Sequence, residues 1–532
     1  MALLGGWVLG AQTTSPILST YLGGSGFDEG IAVAADPSGG SYVAGVTSSR
    51  DFPTYGGFQP FPTNSFLTRY DASGRVLYST YLSRTDISEI NGVAVGPDGS
   101  AFIVGTLLGT HTYQGFLEKI SPSGSTLDYD ISFGDPYDYT YFFALAVDSA
   151  GNAYVEGTTS SDPYRTWVEK IDPQGSSAWR ASLPGSSLTR KGGIAVDPAG
   201  NVYVAGNTFP PSNTLQDVFV ARLDPSGTVI FTTIFGGFGI DTAQAIALAP
   251  DGSVWVGGIT RSGDFPTLNP LQAAKNGVQD LFLTRLSPAG TILASTYLGG
   301  NSNDFLESLA TDSAGFLYLA SLTTGATDSP LLDSSQPGCV NELVSKLSPT
   351  FQFLGSTCLP GAGISALAVD AGRRLHLTGI TSGGLPVVNA AQPQPGGGYD
   401  AFLTVLRINR PPDCSAAFAS PASLWPPNGK LVPVAIRGVT DLDGDPVAIT
   451  VTGVRQDEPT GGFPSAFGIG TPDVQLRADR DGKGDGRVYH LSFTATDPQG
   501  ASCAGMVAVC VPHDQGRGAT CGDGGGLFES GR

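Results

Sequence analysis

Charge is scarce in this chain. Only 14% of its 532 residues are Asp, Glu, Lys or Arg, against roughly 25% in an ordinary globular protein. The 28 basic and 47 acidic residues leave a formal charge of −19, which excludes a general nucleic-acid binder, because phosphate backbones need a basic face. No run of about 18 apolar residues occurs, so no transmembrane segment is expected. Histidine appears four times, at His111, His376, His490 and His513, too few and too scattered for a His-rich metal site. No GxSxG elbow, HExxH helix or P-loop is present. Cysteine is absent before position 339, and no CxxC spacing follows it, which argues against a zinc site.

What is abundant is glycine (74) and proline (38), alongside 40% hydrophobic and 9% aromatic residues. Disorder needs the opposite balance of apolar content and charge. The composition points to a large, turn-rich, all-β protein.

One unit recurs seven times: an apolar strand, a DPxG-like turn, and an apolar strand ending near Gly. The copies are 31–45, 93–105, 145–157, 194–206, 246–258, 309–321 and 367–379. A period of about 50–60 residues suits four short strands and their turns, the size of one propeller blade. Between copies run strands such as FLTRYDASG (66–74) and VLYSTYL (76–82), joined by Pro and Gly where a turn needs fixed and positive φ. The chain opens with a lone fourth-type strand, ILSTYL (17–22), and closes the repeats with a lone third-type strand, AFLTVLRIN (401–409). Pairing the two closes a ring and removes exposed sheet edges. A seven-bladed β-propeller closed by N- and C-terminal strands is expected over 15–409, after a signal-like or disordered leader at 1–14.

STYLGG (19–24), IAVAADPSGGSYVAGVTSSRDFPT (31–54) and FLTRLSPAGTILASTYLGG (282–300) resemble the SBBP beta-propeller repeat family of bacterial secreted proteins. The resemblance implies a propeller in an exported or surface-associated protein and carries no shared catalytic motif.

The period stops at Asn409-Arg410-Pro411-Pro412. Over the next hundred residues apolar positions alternate cleanly, as at Tyr489, Leu491, Phe493 and Ala495, which predicts half-buried strands and an Ig-like β-sandwich at 410–515. LWPPNGKLVPV (424–434) and DLDGDPVAITVTGVRQDEP (441–459) resemble Ig-like or cadherin-like modules of bacterial surface proteins. A flexible Gly-rich tail is expected at 516–532.

Six cysteines (Cys339, Cys358, Cys414, Cys503, Cys510 and Cys521) form an even set, as disulfides of an extracellular or cell-surface protein would. A hairpin turning near Ser348-Pro349-Thr350 sets Cys339 opposite Cys358. Cys503 shares core-facing parity with Val507, Val509 and Val511, making Cys414 its natural partner and leaving Cys510 with Cys521. Four cysteines nevertheless allow three connectivities. Asp441, Asp443 and Asp445 offer three carboxylates to calcium, although Asp and Gly are also ordinary turn residues.

A basic residue recurs at one strand position: Arg69, Lys119, Lys170, Arg222, Arg285 and Lys346, with Val405 in the seventh copy. Such a ring suits anionic glycans, or ion pairing with Asp28, Asp241 and Asp304; its place in the repeat favours the structural role. His376 takes the place of a repeat tyrosine and is expected in the core. Trp167, Trp179, Trp255 and Trp425 are candidates for stacking on sugars, with Trp255 placed in the core.

The resulting expectation is a secreted or surface-displayed binding or adhesion scaffold, a monomer, with no catalytic residue identifiable. Its glycan or protein partner is sought at the long connections 46–64, 259–279 and 380–400. The alternative is an extracellular polysaccharide hydrolase or lyase at the mouth of the propeller channel.

Overall fold

The computed structural model describes residues 16–531 except 109–111, 134–138, 160–164, 184–191, 210–214, 324–341, 460–463, 483 and 515–520. The leader at 1–14, His111 and Cys339, with its expected bond to Cys358, lie outside the described residues. Among the described residues every regular element is a strand. The described chain divides into two compact units, residues 16–407 and residues 408–531.

The larger unit holds seven four-stranded sheets. The first consists of Asp28–Ala35, Ser41–Thr47, Ser65–Tyr70 and Val76–Tyr81, each antiparallel to the next. The remaining six begin at Ile87–Val95, Thr140–Val147, Gly193–Val196, Asp241–Leu248, Asp304–Thr311 and Ala362–Val369. Each of these first strands touches the first strands of the sheets before and after it, and the last touches Asp28–Ala35, so the sheets form a closed ring. The seventh sheet takes its outermost strand, Pro16–Leu22, from the N-terminal side, paired with Asp400–Leu406.

Second strands such as Ser41–Thr47 and Leu375–Thr381 are buried on both faces apart from one residue. Neighbouring sheets stack on both sides of them, which explains their near-continuous apolar sequence. Four antiparallel strands return the chain to the end at which it entered, so all Asp/Ser-Pro-x-Gly turns gather on one face of the ring. At the first of these, Gly39 takes φ 84°, and its N–H donates to the Asp36 carbonyl at 2.9 Å; a side chain there would be strained. The opposite face carries the long connections and the GGxxxD loops.

Three of the long connections do one job. Tyr55, Leu268 and Val388 exchange paired backbone hydrogen bonds with Ser79, Ser295 and Ser19 of the outermost strands, at 2.7–3.1 Å. Four residues later, Gln59, Gln272 and Gln392 donate their N–H to Thr80, Thr296 and Thr20 Oγ1 at 2.8–3.0 Å. Each connection is therefore a strap along the outer edge of its own sheet. The connections 46–64, 259–279 and 380–400, where a partner was sought, thus lie along their own sheets, and their backbones satisfy edge groups that would otherwise be open.

In the smaller unit, two four-stranded sheets enclose one core containing Val434, Val451, Leu476, Leu491, Phe493 and Val509. Cys414 and Cys503 are joined, with Cα atoms 6.0 Å apart, and both pack against that core. Cys510 is joined to Cys521, with Cα atoms 5.8 Å apart. The expectation of a flexible tail at 516–532 fails over its described part. Phe528–Glu529 pairs with Arg455 and Gln456, and the buried Ser530 donates to Gln456 Oε1 at 3.0 Å. Glycine richness marked loop structure there, while the disulfide and strand pairing hold the segment in place.

Candidate functional site

The seven first strands line the axis of the ring, and six carry a β-bulge near the face that bears the straps. A bulge inserts an unpaired residue and re-aims its side chain. The residues before the bulges include Glu29, Glu89, Tyr141, Thr242 and Phe305; the bulged residues include Asn91, Phe143, Gln244, Glu307 and Ser365. Most are half-buried. Several bond around the ring: Asn91 Nδ2 donates to the Phe142 carbonyl at 2.6 Å and Ser365 Oγ to Glu29 Oε1 at 3.4 Å, while Gln244 Oε1 accepts from Leu306 N at 3.2 Å.

Four consecutive first strands thus supply Glu307, Ser365, Glu29 and Glu89, an acidic arc. Burial raises Glu29 above the usual carboxylate range, against the opposing hydrogen bond from Ser365. Beside this arc lies a cleft of about 400 Å³ lined by Glu342, Gly363, Thr381 and Tyr399 among others. Burial pushes Glu342 up to about 7, the Ile364 N–H opposes the shift, and the Glu307 charge adds to it.

Across the mouth, the third and neighbouring sheets present aromatic rings in series. Tyr113 lies 5.8 Å from Tyr139 and 5.4 Å from Tyr141, and Tyr141 stacks 6.2 Å from Phe143 with planes 7° apart. Tyr141 lies just before the bulge of Thr140–Val147 and Phe143 is its bulged residue, so the ladder runs from the exposed Tyr139 onto a strand that lines the axis. Rings that bury one face and leave the other wet suit amphipathic ligands. Sequence reasoning looked to tryptophans instead. Trp255 and Trp167 are buried, Trp179 Nε1 donates to the Pro225 carbonyl at 3.1 Å, and Trp425 belongs to the smaller unit. The available signal was the aromatic interruption of an otherwise small-residue first strand, YFFALAV in place of GIAVAA.

The recurring cations lie near the turn face and make their contacts within the ring. Each stacks on an aromatic of its own second strand: Arg69 on Tyr42, Lys119 on Phe102, Lys170 on Tyr154, Arg222 on Tyr203, Arg285 on Trp255 and Lys346 on Tyr318, at 4.9–5.6 Å. Arg69, Lys119, Arg222 and Arg285 also donate to the proline carbonyl of the next sheet's turn, at Pro122, Pro173, Pro288 and Pro349. The expected pairing with Asp28, Asp241 and Asp304 is thereby corrected. Those aspartates accept from Gly24, Gly237 and Gly300 backbone N–H at 2.7–3.0 Å and close the GGxxxD loops. A guanidinium partly stripped of water is better served by a ring face and a fixed carbonyl than by a distant loop acid.

His376 is buried, with Nδ1 2.6 Å from Ser41 Oγ and Nε2 3.3 Å from Asp370 Oδ2. Burial would raise Asp370, but hydrogen bonds from His376 and Arg374 hold it well below the usual range. Ser, His and Asp meet here, yet all three are buried, and a nucleophile must reach its substrate. The trio joins the first and seventh sheets. His490 bonds Asp523 at 2.9 Å in the smaller unit.

At the 441–445 loop, Asp441 Oδ1 accepts from the Asp443 N–H at 2.7 Å, and Asp443 Oδ2 accepts from Arg410 N at 2.5 Å. Among the described residues Asp441 Oδ2 is buried with no hydrogen-bond partner, and burial and the neighbouring acids raise this carboxyl. Among the described residues no three His, Cys, Asp or Glu side chains gather as a ready metal site.

Residues 19–53 and 188–208 match the family model of the SBBP beta-propeller repeat. Part of the chain is 26% identical to the regulatory protein FlaEY of Caulobacter vibrioides, covering 37% of this chain and 22% of that protein. The chain thus spans about a fifth of that curated relative. Among solved structures, the Dos1 propeller is similar at 11% identity and TM-score 0.39, over 74% of this chain and 95% of that one. The polysaccharide lyase Uly1 is similar at 11% identity and TM-score 0.41, over 75% of this chain and 100% of that one. No function carries over from these likenesses.

Proposed function

From a chain built on SBBP beta-propeller repeats we infer a binding scaffold: a seven-bladed propeller, followed by an Ig-like sandwich, that holds a glycan at the strap-side mouth of its channel. The aromatic ladder Tyr139–Tyr113–Tyr141–Phe143 carries this reading. It offers successive ring faces to the apolar faces of sugar units, while Glu89 and Asn91 on the first strand of the adjoining second sheet supply hydrogen-bond partners for hydroxyls. The disulfides Cys414–Cys503 and Cys510–Cys521 and the low charge support an oxidising, extracellular or cell-surface setting, and a monomer is the working state. Among the described residues no helix is long and apolar enough to cross a membrane.

The test is calorimetric titration of the full chain with neutral and acidic oligosaccharides found on a polysaccharide array. Tyr113→Ala and Tyr141→Ala should weaken binding about tenfold or more each, which corresponds to roughly 1.4 kcal/mol, with the melting temperature nearly unchanged. Equal binding by wild type and both variants would remove the ladder from the reading.

A second reading has its own observation: Glu342, titrating near 7 beside Glu307, has the character of an acid–base pair. Polysaccharide cleavage that Glu342→Gln abolishes would make the protein a hydrolase or lyase. At the Asp441–Asp443–Asp445 turn, calcium would satisfy the partnerless Asp441 Oδ2. A rise in melting temperature with millimolar calcium, reversed by chelator and absent in Asp441→Asn, is the expected result.

A further inference from the structure

The straps show what the outer edge of these sheets takes, and among the described residues one sheet keeps such an edge with no strap along it. The connections bearing straps run for 17, 19 and 18 residues between their flanking strands, whereas in the fourth sheet Val202–Thr208 and Asp217–Leu223 are only eight residues apart. Among the described residues, the outermost strand of that sheet, Val229–Phe235, ends the sheet order with no strand beyond it.

By cross-strand register, Thr232, Thr233 and Ile234 stand where Ser295, Thr296 and Tyr297 stand in the strapped fifth sheet. In the strapped fifth sheet these positions are buried, Tyr297 at 1% exposure; here Ile234, in the place of Tyr297, is 46% exposed. The other two outermost strands on short connections are blunted by charge, Leu127–Phe133 by Asp128 and Asp130 and Ser177–Ser182 by Arg180. Val229–Phe235 and the GGFG that follows carry none, and Phe238 beside it is 85% exposed. Natural edge strands are usually protected by charge, proline or a cover. An edge rich in Ile, Phe and Thr without such protection is a template for strand addition.

We propose that the Val229–Phe235 edge is a docking site for an extended segment of a partner protein that adds to the sheet as the straps do. The chemistry of that segment follows from the three straps. An aliphatic or aromatic residue pairs with Thr232, as Tyr55, Leu268 and Val388 pair with Ser79, Ser295 and Ser19. The next residue tolerates left-handed backbone, as Gly56, Asn269 and Asn389 do at φ 60°, 48° and 49°. A glutamine lies four residues after the first: its backbone N–H reaches the Thr233 hydroxyl, as the Gln272 N–H reaches Thr296 Oγ1, and its side-chain amide is placed to reach Asp217, as Gln272 Nε2 reaches Asp280 Oδ2 at 3.0 Å. Thr233 Oγ1 donates to the Gly290 carbonyl at 2.7 Å, which leaves its lone pairs to accept from the incoming N–H.

The probe is a labelled synthetic peptide of the chain's own strap, residues 264–275, added to the full-length protein. Fluorescence anisotropy should show saturable micromolar binding, and hydrogen exchange should slow at the Thr232 and Ile234 amides by about tenfold or more. Ile234→Lys should abolish binding with an unchanged melting temperature, and a peptide bearing Gln272→Ala should bind more weakly. Absence of binding, or binding without protection of those two amides, overturns the proposal. So does a concentration-dependent dimer that protects the same amides and excludes the peptide, since the occupant would then be a second copy of this chain. Ladder variants should bind the peptide normally, so this test stands apart from the glycan reading.

Discussion

Ser19 Oγ and Thr404 Oγ1, 385 residues apart in the chain, share a buried hydrogen bond of 2.9 Å. They sit on the two strands whose pairing completes the seventh sheet. The bond sits at a seam where Leu18, Tyr21 and Leu22 are also buried, so the first strand acts as the closure of the ring.

Deleting residues 16–22 is therefore expected to lower stability by at least roughly 4 kcal/mol, given about 1.5–3 kcal/mol per large apolar side chain buried. It also exposes Asp400–Leu406 as an edge. Urea unfolding and light scattering check this; an unshifted midpoint with no aggregation would show that the ring is not held at this seam.

Tyr297 fastens a strap. Its hydroxyl donates to the Ser262 carbonyl at 3.0 Å and accepts from the Phe265 N–H at 2.9 Å. Tyr297→Phe leaves both groups unsatisfied in a buried place, with an expected loss of about 1–3 kcal/mol. Exchange of the Phe265 amide should accelerate, along with proteolysis within 261–279. The same change at Tyr81, which holds Ser49 and Phe52 in the same way, should reproduce the effect locally.

Arg285 stacks 5.3 Å from the Trp255 ring centroid, and its Nη1 donates to the Pro349 carbonyl at 2.8 Å. Arg285→Ala should destabilise by roughly 1–2 kcal/mol, and Arg285→Lys by less, since Lys346 serves at the equivalent position. Little of this loss should depend on salt, because the ion pair with the mostly exposed Asp251 is screened. A loss that vanishes in high salt would return the ring of cations to simple ion pairing.

Glu118 is buried, and burial pushes its carboxyl up to about 7. A carboxyl raised in the folded state holds a proton that the unfolded chain has already released. The protein should therefore lose stability as pH rises from about 4.5 to about 7, by on the order of 2–3 kcal/mol from this group. Glu118→Gln should flatten that part of the profile and gain most at pH 8. Parallel profiles for wild type and variant would show that Glu118 is ionised throughout.

The repeat unit, the strand order within a sheet and the partnership of the two orphan strands were all legible in the sequence. Alternation, turn residues and spacing are local properties, and the ring follows from repeating them. His376 could be placed in the core because it occupies the position of a buried repeat tyrosine. The sequence could not show that the long connections lie along their own sheet edges, because that depends on where Tyr55, Leu268 and Val388 meet strands some 20 residues later, or at the other end of the chain. It also could not assemble Tyr139, Tyr113, Tyr141 and Phe143 into one ladder, since Tyr113 starts a third strand of one sheet and Tyr141 lies on the first strand of the next. Local periodicity determines which residues face inward. Which side chains meet is decided by sheet stacking around the axis, and only the tertiary structure supplies that.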